Sequence, residues 1–125
     1  MQQLFLVMFG GAFGSGARYL TGRLTLALMG PGWPWGTLTV NLVGGLLMGL
    51  LVGTLARFAA GGESVRLLLG VGVLGGYTTF SAFSLDVVTM LERGAWGAAL
   101  GYVLLSVCGA IIALFAGLAL ARVAA

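Results

Sequence analysis

The sequence predicts an all-α membrane protein of four transmembrane helices, with the third helix broken near Gly75–Thr79. Three observations carry that expectation. The first is composition: of 125 residues, 60% are apolar or aromatic, 7% are charged, and mean hydropathy is +1.12. A soluble domain has about a quarter of its residues charged, so this chain cannot cover a water-facing surface. The second is that three polar breaks, rich in glycine, proline or charge, cut the chain into stretches near the ~20 residues that cross a bilayer. The third is a run of glycines and hydroxyls, Gly75-Gly76-Tyr77-Thr78-Thr79, in the middle of one of those stretches.

The first span, roughly 3–28, ends at Gly30-Pro31-Gly32-Trp33-Pro34-Trp35. Proline and glycine stop a helix there, and the tryptophans suit the membrane interface. The second span, roughly 36–58, ends at Ala59-Ala60-Gly61-Gly62-Glu63-Ser64. The third, roughly 65–91, ends at Glu92-Arg93-Gly94-Ala95-Trp96, and the fourth covers roughly 96–122. Short connections imply one transmembrane domain over 1–125. The opening Met1-Gln2-Gln3 has no basic side chain ahead of the apolar run, so no signal peptide is expected.

All six basic residues are arginines, and there is no histidine or lysine. Arg57, Arg66 and Arg122 fall near one face, and Arg23 and Arg93 near the other. So small a bias under the positive-inside rule lets the chain insert either way, which suggests an antiparallel dimer. Small residues recur every four positions at Gly45, Gly49 and Gly53, at Gly10 and Gly14, and at Gly97 and Gly101. That spacing lets membrane helices approach closely.

The same counts limit the chemistry. The net charge of +3 comes from few charges rather than a basic patch, so no nucleic-acid partner is expected. Without histidine, and with Cys108 alone, neither a common general base nor a multi-cysteine metal site is available, and the chain does not read as an enzyme. Gly70-Val71-Gly72-Val73-Leu74-Gly75 fits the dinucleotide fingerprint by chance, since no strand can precede it.

Polar side chains inside a bilayer are costly and point to function. Arg18 lies deep in the first span, where it snorkels to the interface, draws anions into a vestibule or pairs with an acid. Asn41 shares a helical face with Gly45; it either glues helices together or donates two hydrogen bonds to an anion while its carbonyl is held elsewhere. A glycine break in the third span either serves packing or frees backbone carbonyls, which can hold a cation. Phe80 and Phe83, three apart, fall on one face if helix resumes after Thr79; they either pack against lipid or core or turn electropositive ring edges toward an anion. Tyr102 and Ser106 place hydroxyls one turn apart on the last span, where they either donate along one face or satisfy carbonyls of their own helix. Asp86 is the one acid away from a loop, and pairing with an arginine is the expectation for it.

Together these residues resemble the Fluc (CrcB) family of small fluoride channels. The resemblance runs from Gly10-Gly11 to Ala17-Arg18-Tyr19, through Gly36-Thr37 to Val40-Asn41, and along Gly75-Gly76-Tyr77-Thr78-Thr79-Phe80-Ser81-Ala82-Phe83-Ser84. It implies an antiparallel dual-topology homodimer with two fluoride pores in the bacterial inner (plasma) membrane. It further implies that Asn41, Phe80 and Phe83 line the pore, with Tyr102, Ser106, Thr79 and Ser81 on a hydroxyl track and Arg18 in the vestibule. A structural sodium ion is implied at the backbone carbonyls of Gly75 and Thr78. The chain departs from the family at Ala110, where a further hydroxyl is expected, and at Ala82, where threonine is frequent.

The implied activity is passive: weak successive donor sites replace the water around fluoride and let it leave the cytoplasm. A dual-topology multidrug/proton antiporter of similar size would need a buried glutamate in the first span, which holds Arg18 and Arg23 instead. A purely structural subunit would leave the Thr78-Thr79-Phe80 segment without a use.

Overall fold

A computed structural model describes residues 1–57 and 62–124 of the chain. Those residues are helical, with no strand among them: α1 (Gln2–Met29), α2 (Trp35–Leu55), α3 (Gly62–Val65), a π-helical segment (Arg66–Leu74), α4 (Gly75–Tyr77), α5 (Ser81–Glu92) and α6 (Trp96–Val123). Ala59, Ala60 and Gly61 of the second expected break lie outside the described residues. The third expected span corresponds to the broken run from Gly62 to Glu92.

Among the described residues, three stretches are long and apolar enough to cross a membrane: Trp35–Leu55, Gly62–Glu92 and Trp96–Val123. The 28-residue α1 has the length, but Ser15, Arg18, Arg23 and its glycines dilute its apolar character. Many large side chains point outward, among them Phe5, Phe9, Leu100, Ile112 and Phe115. In water such a surface would aggregate; in lipid it is the expected exterior. This is a membrane protein.

The turns follow their residues. Gly30 closes α1 at φ +80°, and Gly94 turns the chain between α5 and α6 at φ +79°. Both backbone conformations favour glycine, because a Cβ would clash there.

The helices pack through glycine. On α2, a Cβ at Gly45 would come within 2.7 Å of the Ala110 carbonyl oxygen, and one at Gly49 would collide with that of Leu114. From the α6 side, Gly117 meets the Leu46 carbonyl in the same way. Gly10 and Gly14 bring α1 against the π-helical segment, and Gly76 abuts the backbone of Gly11. The expected stripes on α1 and α2 therefore pack within the chain. Gly97 and Gly101 do not: a Cβ at either position meets nothing within 4 Å.

Leu38, Phe83, Met90, Ala99 and Tyr102 form a buried cluster where α2, α5 and α6 meet, with Trp33 and Trp35 packed against it. This cluster anchors the aromatic side chains beside the interruption between α4 and α5.

Gly49→Ala gains at most about 1 kcal/mol of helix propensity. Against that, it forces the α2 and α6 backbones apart, an overpacking cost of about 1–3 kcal/mol or more. The expected outcome is a clear fall in the melting temperature of the detergent-solubilised protein, whereas Gly101→Ala, which meets no neighbour within the chain, keeps the propensity gain and leaves the melting temperature unchanged or slightly raised.

Candidate functional site

The site is built around a break in the backbone. Through Tyr77 the chain is helical; Thr78 then turns extended, with φ −81° and ψ 158°, and helix resumes at Ser81. In a continuous helix the Thr79 N–H would bond the Gly75 carbonyl. Here it donates to Asn41 Oδ1 at 2.9 Å, and Asn41 Nδ2 donates to the Thr79 carbonyl at 3.0 Å. One side-chain amide from α2 thus substitutes for both helical partners of that residue. Thr79 Oγ1 accepts the Ala82 N–H at 3.1 Å and caps α5. Thr78 Oγ1 donates back to the Leu74 carbonyl at 3.0 Å.

The break thus lies at 78–80, just beyond the adjacent glycines expected to cause it. Gly75 and Gly76 are still helical, and the crowding of Gly76 against α1 shows that its role is packing. The interruption comes from Asn41 and Thr79 competing with the helix ladder.

The diverted Thr79 N–H leaves the Gly75 carbonyl without its helical donor. Neither it nor the Thr78 carbonyl accepts a hydrogen bond among the described residues. Gly75 is exposed and Thr78 half-buried. Two unpaired carbonyl oxygens at a membrane-embedded helix break have the donor chemistry of a hard cation such as sodium. The Gly76 carbonyl is used otherwise: Arg18 Nε donates to it at 3.2 Å. A guanidinium there also complements the negative end of the interrupted helix. Arg18 is therefore tied inward to the break, not extended only toward the interface.

Two clefts flank the break, and Thr79 lines both. The first, of about 470 Å³, is bounded by Arg18, Arg23, Trp33, Thr37, Ala82 and Asp86, among others. The second, of about 450 Å³, is lined by Asn41, Thr78, Phe80, Phe83 and Ser106, and beyond Ser106 by Ala110. Phe80 is 75% exposed on the second cleft and Phe83 only 7%, with ring centroids 5.4 Å apart and planes tilted by 45°. Phe83 packs on Tyr102 at 5.2 Å, and Trp33 meets Tyr102 edge-on at 5.5 Å. Tyr102 is fully buried between the clefts.

The hydroxyls differ in availability. Ser106 Oγ is buried with no hydrogen-bond partner. Ser81 is exposed, with Oγ 3.4 Å from Thr79 Oγ1. Tyr102 Oη donates to Asp86 Oδ2 at 2.9 Å. That pair corrects the expectation for Asp86: its partner is a tyrosine, and the ion pair found among the described residues is Arg66–Glu63 at the membrane edge. Asn41 is corrected as well. Its carbonyl and one amide hydrogen are engaged by Thr79, so a single amide N–H is left for an anion rather than two.

Comparison with known proteins bears on the same residues. The family model described as "CrcB-like protein, Camphor Resistance (CrcB)" matches residues 5–118. The chain belongs to the CrcB family. Among its CrcB relatives, the fluoride-specific ion channel FluC of Phenylobacterium zucineum is 61% identical over 98% of this chain and 97% of its own. The FluC proteins of Sphingopyxis alaskensis and Mesorhizobium japonicum are 56% and 55% identical, again over 98% of this chain and over 97% and 98% of their own. The resemblance read from the Arg18, Asn41 and Thr78–Ser84 segments is thus the family relationship of the whole chain. What those segments did not disclose is the Asn41–Thr79 clamp, the Arg18–Gly76 bond and the Asp86–Tyr102 pair, which join residues 38, 58 and 16 positions apart.

In this CrcB chain, Asn41→Ala removes both partners of the Thr79 backbone where water cannot replace them. The expected loss is about 1–3 kcal/mol per orphaned group, read as a lowered melting temperature in detergent. Asn41→Gln, which retains the amide on a longer arm, recovers part of it.

Proposed function

We propose that the chain forms a fluoride-selective passive channel that releases fluoride from the cytoplasm across the bacterial inner membrane. The observation that carries this reading is the second cleft. Buried hydroxyls are normally hydrogen-bonded, yet Ser106 Oγ sits there with its O–H unspent. The phenylalanine pair and the remaining Asn41 amide N–H add electropositive contacts without a full cation. A lining of weak donors suits a small, strongly hydrated anion, which must exchange water for such contacts and still leave. The relatives named as fluoride-specific ion channels support the same reading.

Arg18 and Arg23 make the first cleft the vestibule, where positive potential raises the local anion concentration. From there the ion passes the break at Thr79 and Ser81, with Tyr102 beside it, and meets Phe80, Phe83 and Ser106. No group on this route needs to change its covalent state, so flow follows the gradient.

A pore of this kind needs a wall beyond one chain, since Phe80 is 75% exposed and the second cleft opens outward. A second copy in antiparallel orientation supplies it, with two pores per dimer; the near-balanced arginines are compatible with that assembly. The Gly75 and Thr78 carbonyls are the groups that would hold a structural sodium ion. Such an ion supplies positive charge that offsets the cost of unpaired carbonyls gathered in a low-dielectric interior.

The test is release of fluoride and chloride from liposomes holding the purified protein. Fluoride is expected to leave rapidly and chloride not, with no need for a pH gradient. Phe80→Ile and Ser106→Ala are each expected to slow fluoride release by about tenfold or more, the equivalent of about 1.4 kcal/mol on the barrier. Replacing sodium on both sides by a bulky organic cation is expected to abolish release. Fluoride release no faster than from empty liposomes overturns the reading.

A further inference from the structure

Between the two clefts, the single proton of the Tyr102 hydroxyl is already taken. Tyr102 is fully buried, its Oη donates to Asp86 Oδ2 at 2.9 Å, and its ring packs on Phe83. Asp86 reaches the first cleft, while Ser106, one turn beyond Tyr102 on α6, reaches the second. Tyr102 itself lines neither cleft, but its partners Asp86 and Phe83 line opposite ones, so on the channel reading an anion that moves between the clefts passes the tyrosine oxygen with a carboxylate behind it.

We propose that Asp86 is a specificity-determining residue that makes permeating anions compete for the Tyr102 proton. The proposal rests on the channel reading and adds the basis of its discrimination. A phenolic O–H turns about its C–O bond, so it can leave the carboxylate for a passing anion without any covalent change. It does so only when the anion is the better acceptor. Fluoride concentrates its charge in the smallest halide and is a stronger hydrogen-bond acceptor than a carboxylate; chloride is weaker. Asp86 therefore lets fluoride draw the O–H across and leaves chloride facing lone pairs and negative charge. Specificity is a difference between two binding energies, and one way to build it is an element that penalises the wrong ligand. A carboxylate also repels fluoride, so it lowers throughput while sharpening choice. Arg18 and Arg23 line the same cleft but form no ion pair with Asp86, so the carboxylate is not neutralised among the described residues.

The deciding experiment compares fluoride and chloride release from liposomes for the wild type, Asp86→Asn, Asp86→Glu and Tyr102→Phe. An asparagine can turn its amide N–H to the tyrosine oxygen and free the O–H for any anion. Asp86→Asn is therefore expected to raise chloride release relative to fluoride by about tenfold or more, the scale of one hydrogen bond to a charged group. Asp86→Glu keeps the acceptor and is expected to keep the wild-type ratio. In the Tyr102→Phe background the contest is gone, so adding Asp86→Asn is expected to change the ratio no further. A merely structural role for Asp86 would slow both anions together. A fluoride-selective wild type whose ratio is unchanged in Asp86→Asn overturns the proposal and leaves the channel reading intact; a wild type that releases no fluoride overturns both. Infrared difference spectra of the wild type need no folded variant. Fluoride is expected to shift the carboxylate stretch of the protein and chloride not, and equal responses to both anions overturn the proposal.

Discussion

A peptide group inside a bilayer has no water to fall back on, and the Thr79 backbone has left its helix under that constraint. Its N–H and C=O are both satisfied by one side-chain amide, that of Asn41. Without that clamp the interruption would leave two bare polar groups in hydrocarbon, each costing several kcal/mol, and the helix would close again or the segment would not insert. The α2–α6 glycine packing, the Arg18 contact with Gly76 and the Thr79 cap on α5 all hold the clamp in place. With the break secured, the Gly75 and Thr78 carbonyls are free and Phe80 and Phe83 can diverge from the line of the preceding helix.

Charge in this chain is sparse, and two of its internal instances are anchored by hydrogen bonds. Arg18 complements the carbonyl end of a broken helix, and Asp86 is hydrogen-bonded by a buried tyrosine. Burying either group alone would be prohibitive; anchored in this way, both can face a cleft. The two clefts differ in kind. The one with arginines can gather anions, while the one with Ser106 and the phenylalanines offers only partial charges. On the channel reading, that order, from full charges to partial ones, suits passage better than retention.

Much of the fold is legible from residue types. Gly30 with Pro31 and Pro34, and Gly94 beside Glu92 and Arg93, mark two of the boundaries, and the helices end within a few residues of them. The glycine spacing on α2 and α1 anticipates close helix contacts. Gly97 and Gly101 share that spacing but meet no neighbour within the chain, because spacing cannot tell a face turned to a helix of the same chain from one turned outward. The position of the break is misplaced by residue type for a related reason. Gly75-Gly76 looks like the weak point of a helix, yet a membrane helix unwinds where its polar groups find other partners, and Asn41 reaches Thr79 from 38 residues away.

By itself, the sequence determined what class of molecule this is. A chain with 7% charge and no histidine can only lie in lipid, and its breaks set four helices and a family resemblance across them. Tertiary structure alone decided how the polar residues are spent. Asn41, Tyr102 and Arg18 each have several possible partners in a one-dimensional reading. Only the packed helices show that the first holds a backbone, the second donates a hydrogen bond to Asp86, and the third closes a helix end. The physical reason is that hydrogen bonds last over only about 3 Å, and adjacency at that scale between distant residues is created by packing.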